Sequence, residues 1–261
     1  MSSLKHDLKP KTLKFAVLGS GILGLVLRIA LYTVAVDGRS LLIRNHPLSI
    51  AIWALTVLVA AALVFFGRGI KGPESYAAAY PVSFQGFAGC MAAAACLLLT
   101  QVRSFGNFST VLDIVIWGLG VAAGMALAVI GVCRLSRIKP YFLLHSIVCV
   151  YFALHLVACY RRWSADPSLH DYFLYLMACM ALMLTAYHHA AFDAGMGNHR
   201  ALWCCSLAGG YCCCAALWGC EEWLLLAGCA AWCFTGLTDL TIRKRRARPA
   251  LKLDESEGAQ S

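Results

Sequence analysis

Charge is what this chain has least of. Only 13% of its 261 residues are Asp, Glu, Lys or Arg, whereas 61% are hydrophobic and the mean hydropathy is +0.71. So little polar material cannot clothe a core in water, which argues against a soluble fold. Proline is also missing where it would break a helix. Pro10, Pro47, Pro73, Pro81, Pro140, Pro167 and Pro249 fall in tails, loops or helix starts, where an absent N–H costs little. There is no C-x-x-C pair and no H-E-x-x-H, so zinc ribbons, thioredoxin-like redox centres and zinc-hydrolase helices find no support. Residues 1–138 and 139–261 show no convincing repeat of motif positions, so the internal duplication of many carriers finds no support either.

What the chain does have is a series of apolar runs, each long enough to cross about 30 Å of hydrocarbon as a helix. They are Phe15–Ala35, Leu48–Phe66, Phe84–Gln101, Leu112–Leu135, Tyr141–Tyr160, Tyr172–Phe192, Leu202–Gly219 and Trp223–Thr241. The expected fold is therefore all-α, a polytopic transmembrane helix bundle of about eight spans, with the lipid bilayer as its first partner. It divides into a basic N-terminal segment at 1–14, the bundle at 15–241 and a basic, then acidic, tail at 242–261. Trp53, Trp117, Trp203, Trp218 and Trp223 fall near span ends, where an amphipathic ring suits the headgroup layer.

Orientation follows from the basic residues. With the N-terminus inside, inner segments hold 16 Lys and Arg, outer loops hold 5, and Arg28 lies within the first span, so both termini are expected in the cytoplasm. The weak element is the last hairpin, where Cys220, Glu221 and Glu222 alone separate two runs and a re-entrant pair is the alternative. The net charge of +9 arises mainly from the two flanks. Such clusters anchor helix ends to anionic lipid, so no nucleic-acid partner is expected. The Lys-rich start followed by an apolar run is expected to be a retained span and not a cleaved signal, because the run is long, carries Arg28 and lacks a small-x-small site.

Fourteen cysteines would frame a small secreted protein, yet all but Cys220 lie in the apolar runs. Cys229 with Cys233, and Cys205 with Cys212, share helix faces and could collect a soft metal, but buried thiols generally pack as small hydrophobes. Gly19-x-Gly21-x-x-Gly24 matches a dinucleotide fingerprint by letters alone, since no strand precedes it; helix packing is the physical reading there, as for Gly120 with Gly124 and the Ala92 to Ala95 run.

Ionisable residues within spans are costly and so are the default candidates for function. An outer group comprises Arg28, Asp113 and His155. Arg28 and His155 share a depth by helical rise, and Asp113 is the first-choice partner for Arg28, with Asp171, Glu221 and Glu222 as further carboxylates. An inner group comprises His145, His188, His189 and Asp193, with His189 and Asp193 spaced i,i+4 so that the carboxylate can orient a ring. The simpler account of the inner group is that all four reach the headgroups.

The stretch Cys159-Tyr160-Arg161-Arg162-Trp163-Ser164-Ala165-Asp166-Pro167, with His170-Asp171-Tyr172 and Ala186 through Gly197, resembles a group of bacterial multi-span membrane proteins that have no assigned activity. The resemblance implies a bacterial cytoplasmic membrane and names no catalytic residue. Three functions follow as expectations. A small-solute transporter or membrane sensor comes first, an intramembrane metal- or haem-binding enzyme second, and a structural subunit third. No cofactor is expected, the metal question stays open, and a small solute and a second copy of the chain are the remaining partners.

Overall fold

The computed structural model describes residues 2–34, 46–68, 80, 83–106, 108, 110–136, 138–164 and 172–237. The tail at 242–261, Asp171 and most of the Ser164-to-Tyr172 connection lie outside the described residues. The protein is all-helical, with eight helices among the described residues: α1 (Ser2–Val34), α2 (Pro47–Gly67), α3 (Phe84–Ser104), α4 (Val111–Leu135), α5 (Phe142–Trp163), α6 (Phe173–Asp193), α7 (His199–Ala216) and α8 (Trp223–Gly236).

Helix α1 runs through the basic segment and Pro10 before it becomes apolar, so the expected break near residue 14 is not a break in the helix. Helix starts are set by local chemistry. Ser83 accepts from the backbone of Gln85 and Gly86, Asn198 accepts from Ala201, and Thr110 with Asp113 closes a reciprocal capping box. Pro47 occupies the first turn of α2, where no intrahelical donor is required.

Helices α1 to α6 are long and apolar enough to cross a membrane, whereas α7 and α8 are shorter, at 18 and 14 residues. The exterior is apolar in the way a lipid-facing surface must be, with Val57, Leu58, Phe65, Val129, Val157 and many like them exposed.

Packing places α3 against α4, α4 against α5, α5 against α6, α6 against α7, α7 against α8, and α8 back against α3. The result is a closed ring of six helices, with α1 and α2 seated on the outside of α7. Small residues permit the close approaches. A Cβ on Gly228 of α8 would lie 2.6 Å from the Cys96 Cβ and 3.1 Å from the Ala93 Cα of α3. On the periphery, Gly21 and Gly24 of α1 meet Cys214 and Ala215 of α7, so two of the three fingerprint glycines serve helix packing, while Gly19 faces open space. The cysteines are free thiols, and Cys90, Cys179, Cys213, Cys229 and Cys233 fill the core.

Candidate functional site

The ring carries one buried polar cluster near each end, and α4, α5, α6 and the α8 segment contribute to both. At the inner end, His145 of α5 and Asp193 of α6 meet through Nδ1 and Oδ2 at 2.5 Å, with both side chains almost wholly buried. His189 of α6 stacks on His145, ring centroids 5.0 Å apart and planes 16° from parallel, and its Nδ1 lies 3.1 Å from the Tyr80 hydroxyl. The Arg134 guanidinium of α4 sits 4.8 Å above the Tyr80 ring, and Trp232 of α8 closes the other side, 5.5 Å from His189. Gly236 at the end of α8 is close enough that an added Cβ would stand 3.7 Å from Arg134 and 3.9 Å from His189. His145 Nε2 and Asp193 Oδ1 are buried with no hydrogen-bond partner among the described residues.

The inner group is thus gathered inside the bundle and not directed at headgroups: His145, His189 and Asp193 are 1%, 3% and 3% exposed. His188 is the exception, half-buried and against Tyr187. Adjacent helical residues point about 100° apart, so only one of the pair can face the ring interior. Asp193 also serves differently from the i,i+4 expectation. It reaches across the helix interface to His145, while His189 takes Tyr80.

At the outer end, His155 of α5 and Glu222, the residue before α8, form an ion pair at 3.0 Å. Tyr175 of α6 completes the knot: its hydroxyl lies 2.6 Å from the same His155 Nε2 and donates to Glu222 at 2.5 Å. Burial opposes ionisation of Glu222, but the facing His155 charge, the bonds from His155 and Tyr175, and Arg162 outweigh it and hold the carboxyl at about 2. Cys159 Sγ is 3.6 Å from that same nitrogen. Because thiol and carboxylate share one ring nitrogen, this is not the relay of a nucleophilic triad, in which the two nitrogens serve different partners.

Beside the knot lies a cavity of about 120 Å³. Its buried floor is Gln101, Tyr151, His155 and Cys159, and Asp113, Trp117, Arg162 and Glu222 stand around it. Tyr151 is stacked on His155 at 5.5 Å and receives a hydrogen bond from Gln101 at 3.3 Å. Two members of the expected outer group, Asp113 and His155, therefore line one cavity. Arg28 is not among the lining residues; its Nε donates to the Trp218 carbonyl at 2.7 Å, fastening α1 to the turn that precedes Glu222. Asp113 also keeps its capping bonds to Thr110.

Between the clusters the ring is filled. Leu127, Val148, Phe152, Ala178, Cys179, Leu182 and Leu226 are fully buried there. His145 and His155 are ten residues apart on α5, or about 15 Å.

For haem held between two histidines, ring nitrogens must face one another across the iron. The parallel stack of His145 on His189 sets their nitrogens side by side instead. Among the described residues, no three His, Cys, Asp or Glu side chains come together as a metal ion would need. Arg134, Tyr80, Trp232, Gln101, Tyr151, Tyr175 and Arg162 are site members that the sequence did not single out. Arg134 had one available signal, a basic residue still inside an apolar run. Comparison with protein-family models, curated proteins and solved structures gives no match to this chain.

Proposed function

We propose that the protein is a multi-pass membrane carrier or sensor for a small polar solute, which enters the outer cavity beside His155, Tyr175 and Glu222. The observation that carries this reading is the pairing of two buried polar clusters at opposite ends of one helical ring, separated by a packed apolar middle. Buried charge in a bundle is costly, and sites of this kind line solute and ion paths. A purely structural subunit would have no need for two such clusters facing the interior or for the cavity between Gln101 and Glu222.

The same reading takes all eight helices as crossing the membrane, with both termini in the cytoplasm of a bacterial cell. Two facts support it. Helix α7 starts at His199, packed on Phe192 at the inner end of α6, and leads to the Trp218 turn that holds Arg28. Helix α8 then begins just after Glu222 of the outer cluster and ends at Gly236 beside the inner one. The two short helices therefore run in opposite directions between the two clusters, which supports two spans over a re-entrant pair. The positive-inside asymmetry sets the orientation.

The test is reconstitution into proteoliposomes with a panel of small labelled solutes. Accumulation that is lost in both Glu222→Gln and Asp193→Asn supports the carrier. Binding without flux supports the sensor, and neither binding nor flux for any solute overturns the proposal.

A further inference from the structure

Resting on the reading of the outer cavity as a solute site, we infer that its ligand is a small zwitterion bearing one ammonium and one carboxylate, of the size of glycine or alanine. Size comes first. A volume of about 120 Å³ holds about eight to twelve waters at about 10–15 Å³ of probe-occupied space each, so glycine or alanine fits with room to spare.

Charge comes second. The wall carries both signs: carboxylates from Asp113 and Glu222, the His155 ring paired with Glu222, and the guanidinium of Arg162. Arg162 is exposed at the end of α5, where its charge helps hold Glu222 ionised, and its side chain makes no ion pair within 4 Å and no hydrogen bond among the described residues, so its fork is open to a carboxylate. A simple anion would meet Asp113 and the Glu222 carboxylate that His155 only partly offsets, and a simple amine would meet Arg162. A molecule with both groups satisfies both walls.

Aromatic faces come third. Trp117 and Tyr151 line the cavity with the carboxylates; one face of Tyr151 is taken by His155, and an ammonium beside these rings gains cation–π attraction where it meets an open face. Trp117 is fixed for this role by its indole N–H, which donates to the Gln101 carbonyl at 2.9 Å. The Glu222 carboxylate is likewise held in place by Tyr175 and His155 and needs no rearrangement to receive the ligand.

The experiment is calorimetric titration of the full chain in detergent with glycine, alanine, ethylamine, acetate and glycerol, with Trp117 fluorescence as a second reporter. Glycine or alanine is expected to bind at least about tenfold more tightly than ethylamine or acetate. Arg162→Gln is expected to weaken glycine by about tenfold or more with only a small shift in the melting midpoint of the unliganded protein, because its side chain is exposed at the rim and contributes least among the groups that hold Glu222 ionised. Glu222→Gln should weaken glycine and ethylamine but not acetate. If acetate, ethylamine or glycerol binds as tightly as glycine, the zwitterion assignment is wrong while the solute site stands. If no probe binds at all, the zwitterion assignment is wrong, and the proteoliposome panel alone decides whether the solute site stands.

Discussion

Replacing His145 and Asp193 by leucine, singly and together, measures what the inner pair contributes to holding α5 against α6. Two magnitudes compete. A neutral hydrogen bond between membrane helices averages about 0.6 kcal/mol by double-mutant cycle and reaches about 1.7. A charge-assisted bond between groups this deeply buried belongs to a different class, where removing one partner strands the other and costs about 3 to 5 kcal/mol. The geometry favours the second. His145 Nδ1 faces Asp193 Oδ2 directly, and the two residues are 1% and 3% exposed. Each single leucine variant is therefore expected to lose about 3 kcal/mol or more, and the double variant much less than the sum, because two well-packed apolar groups replace the pair. Equilibrium unfolding of the purified protein in mixed micelles with increasing dodecyl sulfate, followed by circular dichroism, gives the four free energies. A coupling energy of about 0.6 kcal/mol or less would show that the pair is an ordinary interhelical bond and would refute the argument from burial.

Glu222, held ionised down to about pH 2, adds stability that is fully present above its ordinary range near 4.5 and lost as pH falls from there toward 2. The melting midpoint of the parent should drop over that interval more than that of Glu222→Gln, and parallel curves would contradict the assignment. Gly228→Ala should cost about 1 to 3 kcal/mol, because its Cβ meets α3 at 2.6 Å, whereas Gly19→Ala, facing open space, should be neutral or slightly stabilising in the same unfolding assay. Reporter fusions after Arg39, Arg103, Arg162 and Glu222 should read as extracytoplasmic and those after Lys71, Lys139, Arg200 and Lys252 as cytoplasmic; a cytoplasmic signal after Glu222 would remove the eight-span arrangement.

The sequence made the helices legible, because length and hydropathy are one-dimensional properties of a chain in lipid. It did not reveal azimuth. His188 and His189 have nearly the same depth, and only packing decides that His189 enters the ring while His188 stays against Tyr187. Arg134 reads as an interfacial anchor by position, yet it lies over Tyr80 and is 5% exposed. Trp203 likewise reads as a belt residue but is buried. Glu222 was a carboxylate in search of a cation, and the choice of His155 over Arg28 depends on which helices are neighbours in the ring. Contacts between consecutive helices could be anticipated from short loops. The return of α8 to α3 could not, since no local pattern encodes it.

That return has a consequence for biogenesis. Ribosomes deliver helices in order, and α8 is synthesised after the other seven. Until it is inserted, α3 lacks one flank, His155 and Tyr175 lack their carboxylate, and His189 lacks the indole of Trp232. A nascent chain stalled before Glu222 thus presents half-solvated polar side chains to lipid or to the insertion machinery, a state that membrane proteases and chaperones can recognise. The closing helix acts as a checkpoint, so substitutions on its α3-facing side, such as at Gly228, should lower the amount of protein in the membrane before they alter what the surviving molecules do.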